Sequence, residues 1–223
     1  MKILLVEDDT ALAAELAAGL REAGHVVEIA HDGEEGEFLG ATETYAAAVL
    51  DLGLPGLPGV EVLTRWRAGG LTMPVLILTG REAWADKVAG FRAGADDYVL
   101  KPVRIEEVAL RLATLIRRAS GHADAQIAAG ALVLDTATGI VTLDGMPLKL
   151  TAFEARVLRH LMLNKGRIVS RTDLSEHMYD RDADRDFRSL EVIVGRIRRK
   201  IGEGRIETLR GEGYRLLPGN PPE

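Results

Sequence analysis

Short, continuous apolar runs alternate with stretches of helical spacing through the first half of the chain. Residues 3–6, 26–30, 46–50, 75–78 and 98–100 are strand-length runs. Between them, Leu12, Leu16 and Leu20 recur every four residues ahead of Gly24. Ile105, Val108, Leu112 and Leu115 repeat the pattern at the end. A strand followed by a helix, five times over, predicts a doubly wound α/β domain, (βα)5, whose parallel sheet is covered on both faces. Residues 1–118 are assigned to it.

The second half has a different rhythm. Thr151 to Glu154 reads as a capping box opening a helix with the apolar stripe Phe153, Val157, Leu158, Leu161 and Met162, and Gly166 lies beyond its end. A second helix follows Ser170, and residues 188–201 form a third. Its wheel sets Leu190, Val194, Ile197 and Ile201 on one side and Arg188, Arg196, Arg199 and the lone apolar Val192 on the other. Two short strands, 206–209 and 214–217, flank the glycine turn Arg210-Gly211-Glu212-Gly213. Three helices and a hairpin predict a winged helix-turn-helix (α+β) over residues 128–223. The small, polar, aperiodic stretch 119–127 is the expected linker.

Composition narrows the class. The 223 residues are 47% hydrophobic and 28% charged, enough for packed cores and too apolar for disorder. No cysteine is present, which excludes disulfides, thiolate metal sites and cysteine nucleophiles and fits a reducing cytoplasm. The apolar runs fall far short of the ~20 residues of a membrane helix, so no membrane association is expected. Glu7, Asp8 and Asp9 interrupt the N-terminal run before a signal-peptide core could develop.

Charge is divided unevenly. Residues 1–120 carry 12 Lys/Arg against 19 Asp/Glu, while 121–223 carry 16 against 15. The net charge of −6 therefore conceals a basic segment, Arg188 to Lys200, with five cations and the single acid Glu191. Such a face is a candidate nucleic-acid contact, although a charged helix face alone is more often solvated surface.

In doubly wound sheets, chemistry gathers at the carboxyl ends of the strands. Those ends carry Glu7 and Asp8, then Asp51, Thr79 and Lys101. Carboxylates converging on one crevice repel each other unless a cation lies among them, and an all-oxygen donor set suits Mg²⁺. With an ammonium and a hydroxyl beside it, Asp51 is a candidate phosphoryl acceptor. Any one of these residues could be mere strand-end punctuation; five together are not.

Val6-Glu7-Asp8-Asp9, Leu50-Asp51-Leu52-Gly53-Leu54-Pro55-Gly56, Leu78-Thr79-Gly80 and the run from Gly94 to Pro102 resemble the ordered motifs of a two-component response-regulator receiver domain. The resemblance implies that Glu7, Asp8 and Asp51 bind Mg²⁺ and that Asp51 takes phosphate from a cognate sensor histidine kinase. It implies that Thr79 and Lys101 contact the phosphoryl group, that Thr79 and Tyr98 form the switch pair, and that Lys101-Pro102 is a cis peptide. Val103 stands where the family usually has Phe. It further implies a homodimer on activation, pairing Lys87 with Glu107, Asp97 with Arg111 and Asp96 with Arg118 around Phe91 and Leu112. A hydrolase using Asp51 as nucleophile is the alternative, but that reading lacks a lid or domain that would enclose a substrate over Asp51.

Leu150-Thr151, Glu154, the run from Gly166 to Arg171 and that from Arg210 to Arg215 resemble the effector domain of OmpR/PhoB-type transcription factors, nearest the QseB/PmrA/TctD-like branch. By that resemblance the helix from Arg188 enters the major groove of double-stranded promoter DNA, with Arg196, Arg198 and Arg199 on phosphates or bases and Arg210 in the minor groove. RNA polymerase is then a partner, the cytoplasm the location, and the chain a phosphoacceptor rather than a conventional enzyme, with autophosphatase activity left open. Ala155 replaces the usual Phe, Ile193 and Gly195 occupy positions often polar or basic, and Glu212 puts an acid on the wing. Val192 lies about 200° from Leu190, where a thymine methyl is the apolar feature able to cover it. The rival reading is a phosphoaspartate hydrolase or signalling adaptor whose second domain binds protein. His25, His31, His122, His160 and His177 are too scattered to be assigned to metal or catalysis.

Overall fold

A computed structural model describes residues 1–80, 90–178 and 190–219, in two compact units, one covering Lys2–Ala119 and the other Ser120–Glu223 together with Met1. Lys87 and Arg188 lie outside the described residues.

The first unit contains β1 (Lys2–Val6), α1 (Thr10–Glu22), β2 (Val26–Ala30), α2 (Gly33–Thr42), β3 (Ala47–Asp51), α3 (Gly59–Ala68), β4 (Val75–Thr79), β5 (Asp97–Leu100) and α4 (Ile105–Ala119). The strands form one parallel sheet in the order β2-β1-β3-β4-β5. Every residue of β1, β3 and β4 is buried. That is why these strands read as unbroken apolar runs: helices cover both faces, and neither face tolerates a polar alternate. Leu4, Val6, Leu50, Leu63, Trp66 and Ile77 form a core on one face, where Trp66 also donates its indole N–H to the Glu37 carbonyl at 3.2 Å. The strand order reverses between β1 and β3, which opens a crevice at their carboxyl ends.

The second unit begins with a four-stranded antiparallel sheet, β6 (Gln126–Ala129), β7 (Leu132–Asp135), β8 (Val141–Leu143) and β9 (Met146–Pro147). The sequence reading did not foresee it. Its strands have two to four residues, too few for alternation to register. The legible signal was Asp144-Gly145, a two-residue hairpin in which both residues have positive φ, 51° and 78°, and Leu143 pairs with Met146.

Then come α5 (Ala152–Leu163), β10 (Val169–Ser170), α6 (Arg171–Glu176), α7 (Leu190–Ile201), a 3-10 turn at Glu203–Arg205, β11 (Ile206–Leu209) and β12 (Gly213–Leu216). The last strands form a sheet in the order β10-β12-β11. Thr151 and Glu154 make the expected reciprocal capping box. Glu154 does more: although buried, its carboxylate takes a 2.6 Å contact from Lys200 Nζ on α7, which also donates to the Lys149 carbonyl at 2.8 Å. One glutamate thus caps α5 and joins it to α7. Among the described residues, no helix is long and apolar enough to cross a membrane.

Burial opposes ionisation of Glu154, but Lys200 and the Thr151 cap outweigh it and hold the carboxyl below its usual range. Glu154→Gln should therefore cost about 2 kcal/mol in urea unfolding at neutral pH, the order expected for a charged hydrogen bond lost from a buried site. Because the folded value is depressed, this stabilisation is complete above the ordinary glutamate pKa of about 4.3. The gap between parent and variant should close as pH falls through the lower folded value.

Candidate functional site

The crevice of the first unit is built by strand ends. Glu7 follows β1, Asp51 ends β3, Thr79 ends β4, and Lys101 follows β5 across a cis peptide to Pro102. Glu7, Asp51 and Thr79 are buried, while Asp8 is exposed at the rim. Asp9 is drawn aside to cap α1, its Oδ1 accepting from Ala11 N at 2.9 Å and Leu12 N at 3.1 Å. Of three consecutive acids, two are left for the crevice. A Cβ at Gly59 would lie 2.0 Å from the Asp51 carbonyl oxygen, so only glycine lets α3 begin against the end of β3.

Lys101 Nζ lies 2.8 Å from Asp51 Oδ2 and 2.8 Å from Glu7 Oε1. It is also 2.7 Å from Glu7 Oε2, but that approach lacks hydrogen-bond geometry, so a buried carboxylate oxygen keeps an unsatisfied lone pair. Burial, with Asp51 alongside, pushes the Glu7 carboxyl above its usual range against the pull of Lys101. Burial works against the Lys101 ammonium too, yet the hydrogen bonds it donates to Asp51 and Glu7 prevail and raise it. One ligand oxygen from each of Glu7, Asp8 and Asp51 lies within 4.8 Å of the others. Three carboxylates against one ammonium leave an excess of negative charge that a divalent cation would neutralise.

Tyr98 is half-buried and packs edge-on against Phe91, with ring centroids 5.4 Å apart. The residues read as a dimer face are partly committed within the chain. Arg111 pairs with Asp97 at 2.8 Å and with Glu107 at 2.8 Å. Asp96 pairs with Arg67 at 3.1 Å and accepts from Val75 N at 2.8 Å. Arg118 and Phe91 are exposed. Leu112 is not: the heptad-like stripe that made it legible turns it into the core, where it cannot join a surface patch. The exposed apolar residue of α4 is Leu110.

In the second unit, α7 buries Leu190, Val194, Ile197 and Ile201 as the wheel requires. Ile193 is buried as well, at 2% exposed, so this departure from a polar residue feeds the core and not a binding face. Val192 is 47% exposed on the opposite side, Arg199 is exposed and Arg196 is half-buried. Arg198 is bound inward: Nε and Nη2 donate to the Ile206 carbonyl at 3.0 and 2.7 Å, and Nη2 to Thr208 Oγ1 at 2.7 Å. It ties α7 to β11. Arg210 and Glu212 are exposed in the turn between β11 and β12. Arg171, the last residue of the run from Gly166, bonds Glu191 and lies over the Tyr214 ring at 5.8 Å. The histidines held another surprise, for His160 and His177 meet around Asp173. Asp173 and His177 are four residues apart, a spacing visible in the sequence.

Comparison with known proteins covers both units. Residues 3–113 match the response regulator receiver domain, and residues 145–216 match the C-terminal domain of transcriptional regulatory proteins. The chain is 44% identical over 218 residues to the two-component response regulator PhoP of Pseudomonas aeruginosa, covering 96% of this chain and 97% of that protein. It is 41% identical over 216 residues to the transcriptional regulatory protein QseB of Escherichia coli O157:H7, covering 97% and 99%. The first unit is similar to the solved receiver domain of Francisella response regulator 1452, at 33% identity and a TM-score of 0.51, over 53% of this chain and 98% of that one. With both domains matched in order and relatives aligned along nearly their whole length, the chain belongs to the OmpR/PhoB family of two-component response regulators and is a phosphorylation-dependent, DNA-binding transcriptional regulator.

Proposed function

We propose that Asp51 is the phosphoryl acceptor, that Glu7, Asp8 and Asp51 hold Mg²⁺ beside it, and that a sensor histidine kinase is the donor. The observation that carries this reading is Lys101 Nζ poised between Asp51 and Glu7 at the sheet edge. The unsatisfied Glu7 oxygen and the all-carboxylate donor set fit a hard divalent ion. Mg²⁺ supplies charge neutralisation for the equatorial oxygens of the transferring group. An Asp51 oxygen attacks phosphorus; the P–N bond to the kinase imidazole breaks, and the departing nitrogen keeps the electron pair. Lys101, already 2.8 Å from Asp51, follows the new phosphate, and the Thr79 hydroxyl offers it a hydrogen bond. Asp51→Ala should abolish labelling by a small-molecule phosphodonor, and Asp8→Ala should reduce it. Undiminished labelling of Asp51→Ala would show the acceptor to be elsewhere.

Activation then proceeds through a dimer of first units, in the cytoplasm where DNA and RNA polymerase are reached. Exposed Phe91 and Arg118 are available to such a face, whereas Leu112 is in the core. Arg111 and Asp97 already pair within one chain, so the expected pairs across the interface must form by exchange with internal ones. Lys87 belongs to the proposed face but lies outside the described residues. Sedimentation velocity at micromolar concentration should show dimers of the phosphorylated chain; a persistent monomer would remove the interface.

DNA is read by α7 and the turn at Arg210; the linker expected at 119–127 narrows to residues 120–125, since Ala119 ends α4 and Gln126 opens β6. Exposed Val192 between Arg196 and Arg199 supports a thymine-methyl contact flanked by phosphate or base contacts. Val192→Ala should cost on the order of 1 kcal/mol on the preferred site and flatten the preference at one base position, within the ~1–3 kcal/mol typical of a mismatch. Arg196→Ala should weaken all sequences alike and lower the salt slope by about one unit. If Val192→Ala keeps the parent's ratio between thymine- and uracil-substituted sites, the methyl contact does not exist. Arg198→Ala should also weaken binding, through loss of its bonds to β11.

A further inference from the structure

The second unit contains a cluster that neither phosphorylation nor DNA reading uses. His160 lies on α5, Asp173 on α6, and His177 is the residue that ends α6. Both imidazoles are buried, at 4% and 5% exposed, while the Asp173 side chain reaches the surface at 38%. His160 Nε2 is 3.0 Å from Asp173 Oδ2, and His177 Nδ1 is 3.0 Å from Asp173 Oδ1. The rings face each other with centroids 4.3 Å apart and planes 34° apart. One ligand atom from each of the three residues lies within 4.8 Å of the other two.

We propose that His160, Asp173 and His177 form a site for a borderline divalent transition-metal ion, Zn²⁺ foremost, with its remaining position open to water on the exposed side of Asp173. Two imidazoles and one carboxylate with an open fourth position are a donor set that Zn²⁺ accepts. Bonds of about 2.0–2.1 Å in tetrahedral array set neighbouring ligand atoms about 3.3 Å apart. The two nitrogen-to-oxygen separations of 3.0 Å run to different oxygens of Asp173 and are hydrogen-bond distances, and His177 Nδ1 also lies 2.9 Å from the Asp173 carbonyl oxygen. The three donors are thus gathered within 4.8 Å and bonded to one another, and an ion would replace those hydrogen bonds as the side chains turn towards a common point. Each neutral imidazole coordinates through a nitrogen that carries no proton: the N–H bond at the ligating nitrogen breaks, one forms at the opposite nitrogen, and the ring keeps a single proton. Imidazole nitrogen selects against Mg²⁺, which prefers the carboxylate crevice of the first unit. One chain therefore carries two sites that differ in donor hardness. An ion at the second would pin α5 to α6, bracing the helix-turn-helix.

The test uses the full chain carrying Asp8→Asn and Asp51→Asn, so that the acidic crevice does not compete. Titration with Co²⁺ should give the visible absorption of a four-coordinate ion, saturating at one equivalent and abolished by Zn²⁺ but not by Mg²⁺. His160→Gln with His177→Gln should remove that signal, with folding checked by circular dichroism in chelator. Should that variant fail to fold, imidazole NMR of the otherwise unmodified chain decides: Zn²⁺ should shift His160 and His177. Thermal unfolding of the Asp8→Asn, Asp51→Asn chain should rise by about 5 °C at saturating Zn²⁺. Absence of Co²⁺ absorption, its survival in a folded double-histidine variant, or Zn²⁺ shifts confined to His25, His31 or His122 would each overturn the site.

Discussion

Electrostatic repulsion at the carboxyl edge of β1 and β3 is the constraint around which the first unit is arranged. Glu7 and Asp51 are brought together by parallel pairing that sets Val6 beside Leu50, and burial denies them the water that would separate their charges. Lys101, on the far side of the sheet order, is the local answer. It reaches the crevice because β5 is the last strand and the chain turns at its carboxyl end. The ammonium satisfies part of the carboxylate charge but leaves a Glu7 oxygen without a well-formed hydrogen bond. A site so built keeps an excess of negative charge, which a divalent cation would offset and which complete internal neutralisation would have removed.

The first unit was legible because its signals are long and redundant. Strands buried on both faces admit a polar residue only at their ends, so β1, β3 and β4 appear as apolar runs bounded towards the crevice by Glu7, Asp51 and Thr79. What the pattern could not reveal was how adjacent residues of one type divide their work. Asp9 caps a helix while Asp8 remains at the crevice, and no composition argument distinguishes them. Leu112 shows the converse error. A helical stripe marks a buried face, and the same periodicity that defines α4 excludes Leu112 from a surface role.

The second unit was less legible because its elements are short. Strands β6 to β9 supply few alternations, and their register is set by turn chemistry at Asp144-Gly145 instead. Histidines scattered along the chain gave no metal pattern, yet α5 and α6 cross so that residues 13 positions apart meet at 3.0 Å. Proximity of that kind belongs to packing and is invisible to spacing, except for the four-residue step from Asp173 to His177.

The arginines of α7 show why a charge run is a weak guide to contact residues. Arg198 shares the basic face on a list of cations, yet its guanidinium is spent on the Ile206 carbonyl and the Thr208 hydroxyl. Its fork geometry suits this task, bridging a main-chain acceptor and a side-chain acceptor on one strand. The bond fixes the hairpin relative to the helix, so Val192, Arg196 and Arg199 are presented with Arg210 on one frame. Lys200 does the same on the other side, joining α7 to α5 through Glu154. Two of the cations that mark the helix as basic therefore hold its orientation, which reduces the ordering entropy left to be lost on binding. The exposed basic face that remains is smaller than the charge count implies, because Arg198 and Lys200 are used to hold the helix in place.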